Sequence, residues 1–239
     1  FEVLKAIMLV DHLGLFVDKI SEHVLVRGAV ESFTAQLSIG AGPSRKAPDY
    51  PLALVIALEL MVTNLEESLY LRWFAGVKLI KIGGALRWND TEGIASASIS
   101  THLRGVQATI SRSKTTGPGR KVVSIPVFVS RQLKFSGIDW MTVWEGVNAS
   151  EGFGFSRDYL VPLPSPDLQS TLKLKAEYTD AAALTALVVS KLLAPSCNFV
   201  DGSFVSSDTL LVDVKLTGFW TEHSERCFLN SKAAEMGIA

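Results

Sequence analysis

Only two cysteines, Cys197 and Cys227, occur in 239 residues, too few for a disulfide framework and without metal-ligand spacing. A reducing, intracellular compartment is the expected home. Long apolar runs are also missing. The two longest, Pro51 to Val62 and Ala181 to Pro195, carry Glu59 and Lys191 and are too short to span a bilayer, so no membrane partner is expected. No charged-then-apolar leader opens the chain at Phe1, and the chain is expected to be a piece of a longer protein. Repeats of fixed period and low-complexity tracts are absent. Charge of one sign is scarce overall: 23 basic against 24 acidic residues leave a net charge of -1. Taken as an average, that argues against a nucleic-acid binder.

The average conceals a local excess. Between Arg104 and Lys134 stand seven basic residues, Arg104, Arg112, Lys114, Arg120, Lys121, Arg131 and Lys134, and no acidic one. Such a strip can follow a phosphate backbone. It coincides with a β-like segment in which Val106, Ala108 and Ile110 alternate with polar neighbours. A turn at Thr115-Thr116-Gly117-Pro118-Gly119 follows, and then Val122, Val123, Ile125 and Val127. This predicts a hairpin, which could equally be a solvated one whose lysines guard an edge.

Elsewhere the pattern is helical. Residues 1 to 37 carry an apolar stripe, and Ser38 to Pro51 breaks it with two glycines, three prolines, Arg45 and Lys46. Two helices are expected over Leu52–Thr63 and Leu65–Gly83, the second capped by Asn64 and stopped by Gly83-Gly84. A short helix is expected over 138 to 148, a long irregular segment after it, and a helix from Thr179 to Leu193 ended by Pro195. Asn198 to Ser207 reads as a loop. Thr209 to Leu216 reads as a buried helix or strand. The predicted class is mainly α with a small antiparallel β-sheet (α+β). The tail of one helical domain would occupy 1–44 and a second domain 45–239.

Three cationic features stand out in order along the second domain. Arg87 follows a small-residue helix end in Gly84-Ala85-Leu86-Arg87-Trp88-Asn89-Asp90. Lys114 lies in Ser113-Lys114-Thr115 at the hairpin turn, with Lys121 as the alternative. His223 and Arg226 lie in Thr221-Glu222-His223-Ser224-Glu225-Arg226, three apart and so able to share a helix face. Each has a plainer reading. Arg87 could pair with Asp90 or neutralise a helix end, Lys114 could be a turn lysine, and His223 a surface histidine among Glu222 and Glu225. The apolar lead-in from Leu216 to Trp220 argues instead that His223 sits near the core.

Taken together and in this order, these boxes resemble those of the tyrosine recombinase (phage integrase) family. The small-residue helix Ala233-Ala234-Glu235-Met236-Gly237 after the last box is similar as well. The connector and layout resemble recombinases encoded by eukaryotic mobile elements. The resemblance implies a tyrosine-recombinase-like catalytic domain preceded by a DNA-clamping domain, a duplex DNA partner, and a homo-oligomer on DNA, dimer or tetramer. No metal and no cofactor would be needed, and the location would be nuclear in a eukaryote, otherwise cytoplasmic. It also implies roles. Arg87 and Arg226 would hold the non-bridging oxygens of the scissile phosphate, Lys114 would protonate the leaving 5′-oxygen, and His223 would bond a phosphate oxygen or assist proton transfer. Arg45, Lys46, Arg112, Arg120 and Lys121 would contact the DNA backbone. The lysine-to-histidine interval is long for the family. Tyr50, Tyr70, Tyr159 and Tyr178 all precede His223, so none takes the nucleophile's place, and this piece is expected to be inactive alone. Two other functions remain open: a non-catalytic DNA-binding remnant, and a type IB topoisomerase-like relaxing enzyme.

Overall fold

The computed structural model describes residues 48–113, 122–198 and 201–237. The chain divides into two units, Phe1–Lys46 and Ala47–Ala239, and all described residues belong to the second. The predicted helical stripe over 1–37 lies outside them.

Two central helices build the core. Helix α1, Leu52–Thr63, is apolar all round apart from Glu59, and a helix of that kind must be surrounded. Every residue from Leu54 to Val62 is buried. Glu59 is tolerated there because its carboxylate accepts the backbone N–H groups of Phe135 (2.9 Å) and Ser136 (2.7 Å). Helix α2, Leu69–Gly83, is buried from Tyr70 to Ile82, three cations included. It starts four residues later than its apolar pattern predicts. Asn64 is the reason: it closes α1, and its Oδ1 accepts the Glu66 N–H at 3.1 Å in a side-chain-closed turn.

Helix α4, Trp140–Ala149, lies across α2 so closely that a Cβ on Gly76 would sit 2.0 Å from Trp144 Cδ1. The indole N–H groups of Trp140, Trp144 and Trp73 donate to Leu133 O, Trp73 O and Asn148 Oδ1, which satisfies three buried donors. Between α2 and α4 come the five-residue helix α3, Trp88–Glu92, and an antiparallel sheet of β1 (Ser100–His102), β2 (Gly105–Ile110) and β3 (Ile125–Ser130). Its register runs from Gly105↔Ser130 to Ile110↔Ile125. As the alternation predicts, Val106, Ala108 and Ile110 face the core. Val122 and Val123 are exposed and precede β3, so the second strand begins later than expected.

The segment after α4 is organised by one buried cation. The Arg157 guanidinium donates to the carbonyls of Phe153, Phe155 and Leu160. A two-stranded pair follows, β4 (Pro162–Pro164) with β5 (Thr171–Lys175), then helix α5, Tyr178–Lys191. Helix α5 stops before Pro195, which belongs instead to strand β6 (Leu193–Cys197), paired with β7 (Phe204–Leu210). Proline is acceptable because a two-stranded ribbon has only edges. Of the expected loop over 198–207, residues 204–207 belong instead to β7. The expected buried element over 209–216 is also corrected: Val212 alone in it is buried, and Val214 and Leu216 are exposed. Helix α6, Ser224–Glu235, closes the described chain against α2. Among the described residues no helix is long and apolar enough to cross a membrane.

Candidate functional site

Arg87 is placed by the way α2 ends. Gly83 and Gly84 stand where Val129 and Val127 of β3 press on the helix terminus, leaving no room for larger residues. Ala85 then takes a left-handed conformation (φ 49°), and the Leu86 N–H returns to Lys81 O at 2.9 Å. Arg87 caps α3, and the Asp90 carboxylate accepts its backbone N–H at 3.0 Å. Asp90 is thus occupied by the main chain. The guanidinium makes no ion pair among the described residues, so the helix-end pairing weighed from sequence does not occur. It lines a cleft of about 430 Å³ with the α2–α3 connection on one wall and Ile110, Ile125 and Phe128 on the other.

The hairpin is fastened beside this cleft. Gly93 follows α3, and a Cβ there would meet the Arg112 carbonyl oxygen at 1.7 Å. The Ser111 N–H and hydroxyl both donate to Gly93 O, at 2.9 and 3.0 Å, and Ile94 bridges Ile110. Ser113 consequently lines a second cleft with Asn89, Glu92, Arg112 and Lys175. Lys114 lies outside the described residues, as do Arg120, Lys121, Arg45 and Lys46.

His223 and Arg226 sit at the start of α6, and both are exposed. The expectation that His223 lies near the core is overturned by its neighbours. Glu222, Glu225 and Phe228 are the residues turned inward, so helical geometry rotates 223 and 226 outward. Neither lines the Arg87 cleft.

What draws Glu222 and Glu225 inward is a buried ionic lattice. Lys78 bonds both carboxylates, Glu222 at 2.5 Å and Glu225 by a closer contact. Lys81 pairs with Glu222 and lies 3.5 Å from Glu225. The Thr185 hydroxyl of α5 donates to Glu222, and the Tyr50 hydroxyl to Glu225 at 3.4 Å. Two positive and two negative groups cancel, which is how four fully buried charges coexist. Burial pushes the Glu222 carboxyl up, but Lys78 and Lys81 outweigh it and hold it down at about 2. Burial likewise pushes the Lys78 ammonium down, and Glu222 with Glu225 more than reverses it, leaving it well above its ordinary value. Burial, then the Glu225 charge, lifts the Tyr50 phenol.

Lys81 also lies 5.6 Å from the Trp88 ring centroid. One ammonium therefore touches the neighbour of Arg87 and the neighbour of His223. The sequence reading missed Lys78 and Lys81, although two lysines three apart in an apolar helix are a signal for buried acidic partners.

The basic strip is interrupted in space. Arg131 is committed to Asp139 (3.3 Å) and Glu145 (2.5 Å) of the α4 region, acids that lie beyond the strip in sequence. Arg112 is exposed; Arg104 and Lys134 are exposed and make no ion pair among the described residues.

No family model matches the chain, and no curated protein matches it. Among solved structures it is similar to an FLP recombinase–Holliday junction complex, with a TM-score of 0.44 and 11% identity over 88% of this chain and 49% of that one. A second, an Flpe mutant with a DNA Holliday junction, gives 0.33 and 10% over 93% and 51%. The chain spans about half the length of these proteins.

Proposed function

We propose that this chain carries most of the catalytic pocket of a DNA strand-cleaving and rejoining enzyme that acts through a 3′-phosphotyrosine, the nucleophile coming from a segment outside this sequence. One observation carries the reading: the Arg87 segment and the His223–Arg226 segment meet on either side of Lys81. The anchoring of Ser113 beside α3 supports it by tying the hairpin to the same neighbourhood. In this reading Arg87 and Arg226 grip the non-bridging oxygens, since a planar guanidinium meets two at once. Lys114 delivers a proton to the departing 5′-oxygen, and His223 bonds the phosphate or relays a proton. The working unit is a dimer or tetramer on duplex DNA.

The test uses a suicide duplex whose cleaved strand stays attached to the protein, with a chain extended to include the nucleophile. Covalent adduct should accumulate, and Arg87→Ala or Arg226→Ala should slow it by about 10²- to 10³-fold. Lys114→Ala should slow cleavage more than binding, and a 5′-thiolate leaving group, which needs no protonation, should restore its rate. Equal losses on both leaving groups remove Lys114 from the acid role.

A second reading, a DNA-binding module without catalysis, is favoured by the Arg87 cleft being lined by neither His223 nor Arg226. A chain carrying the tyrosine that binds the suicide duplex and forms no adduct would establish it.

A further inference from the structure

A cleft of about 620 Å³ opens at the turn joining β1 to β2 and shares Phe128 with the wall of the Arg87 cleft. Leu103, Arg104, Phe128, Arg131, Gln132 and Lys134 line it with Ser130, and no acidic side chain does. Three properties make it more than a surface irregularity.

Its position is held rigidly. The Arg131 N–H donates to Arg104 O (2.8 Å), and its guanidinium donates to His102 O (3.3 Å) and also to Asp139, Thr142 and Glu145. Arg131 is thus the strut of the turn, and Arg104 and Lys134 beside it make no ion pair among the described residues. Its tip is apolar. Leu103 is 96% exposed between His102 and Arg104. Its floor is an aromatic platform. Phe128 is half exposed, and its Cζ lies only 3.0 Å from where a Cβ on Gly105 would stand, so the ring leans over a bare glycine backbone toward the turn. Gly105 is irreplaceable there, with φ 153° and the Val129 carbonyl 2.0 Å from that same Cβ position.

Exposed cations, no acid, a flat half-exposed ring and a projecting leucine match a partner that alternates negative charge with π-faces. We infer that this cleft binds an unpaired nucleic-acid strand, with phosphates on Arg104 and Lys134 and a base stacked on Phe128 against Leu103. An intact duplex offers the phosphates but keeps its base faces stacked, so the ring selects for a single strand. Binding here needs no cleavage chemistry; Arg104 and Lys134 lie outside the Arg87 cleft, so their variants test this site apart from that one.

The experiment is fluorescence anisotropy of a labelled oligo-dT and a labelled hairpin duplex with the 239-residue chain across a salt series. Oligo-dT should bind more tightly. Arg104→Ala with Lys134→Ala should flatten the log-affinity against log-salt slope by about 1.4, twice the ~0.7 expected per single-strand phosphate. Phe128→Leu, which keeps an apolar side chain on the strand, should weaken oligo-dT roughly tenfold, well beyond any loss on the duplex, and Phe128→Tyr should restore it. Circular-dichroism melting confirms the fold of each variant. Any of three results overturns the inference: a slope unmoved by the double variant, wild-type affinity in Phe128→Leu, or a polyglutamate peptide that competes as well as oligo-dT.

Discussion

At the residue scale, Glu222 concentrates more consequence than any of the cations that the sequence brings forward. Removing its charge leaves Lys78 and Lys81 with one buried carboxylate between them, and an uncompensated buried charge typically costs about 3–5 kcal/mol. Glu222→Gln should lose that much in urea unfolding. The pH dependence follows from the same group. Its folded value, about 2, lies below the ordinary ~4.3, so its contribution is complete above the unfolded value and is lost as pH falls from there through 2. That difference corresponds to about 3 kcal/mol, and the urea midpoint of Glu222→Gln should therefore fall less between pH 6 and pH 2 than that of the unaltered chain. Glu59 runs the other way: burial raises its carboxyl, so its share of stability is lost as pH rises through the raised value. Glu222 and Glu225 were visible in sequence as companions of His223. Their partners were not, because Lys78 lies 144 residues from Glu222 and no local pattern links the two.

At the element scale, glycines decide how closely helices and strands approach. Gly93 is where α3 and the end of β2 touch main chain to main chain, and Gly93→Ala has to part them, at a cost of about 1–3 kcal/mol. Gly146 offers the contrast. It sits mid-helix in α4 with nothing within 4 Å of an added Cβ, so Gly146→Ala should raise stability by up to about 1 kcal/mol. Opposite shifts in thermal midpoint check the pair; shifts of the same sign refute it. Helix α1 was legible as an apolar run long enough for a helix, α4 and α5 as segments bounded by breakers, and strand β2 by its strict alternation. Strands β6 and β7 were not. Nearly every residue of β7 is at least partly exposed, so no apolar alternation marks it, and Pro195 reads as a stop when only its edge position makes it compatible with a strand.

At the scale of the molecule, near-neutral charge means that the duplex binding proposed above would have to come from uneven distribution. Affinity should fall linearly on log–log axes with salt, and if Arg112 takes the backbone contact proposed for it, Arg112→Ala should reduce the slope by about 0.9. An affinity unchanged between 50 and 200 mM salt would contradict it. The order of the cationic boxes could be read from the chain, whereas their placement depends on contacts between α2, α3 and α6 that span most of its length. The seam between α2 and α6 has one more consequence. It is mainly ionic, with Phe228 the single fully buried apolar side chain of α6. If α6 peels away, four charges regain their hydration, which offsets much of what the broken lattice costs. Amide hydrogens of α6 should accordingly exchange with solvent before those of α1, through an opening that leaves the rest of the protein intact. Any task performed by its exposed first turn would then have an off state reached without global unfolding.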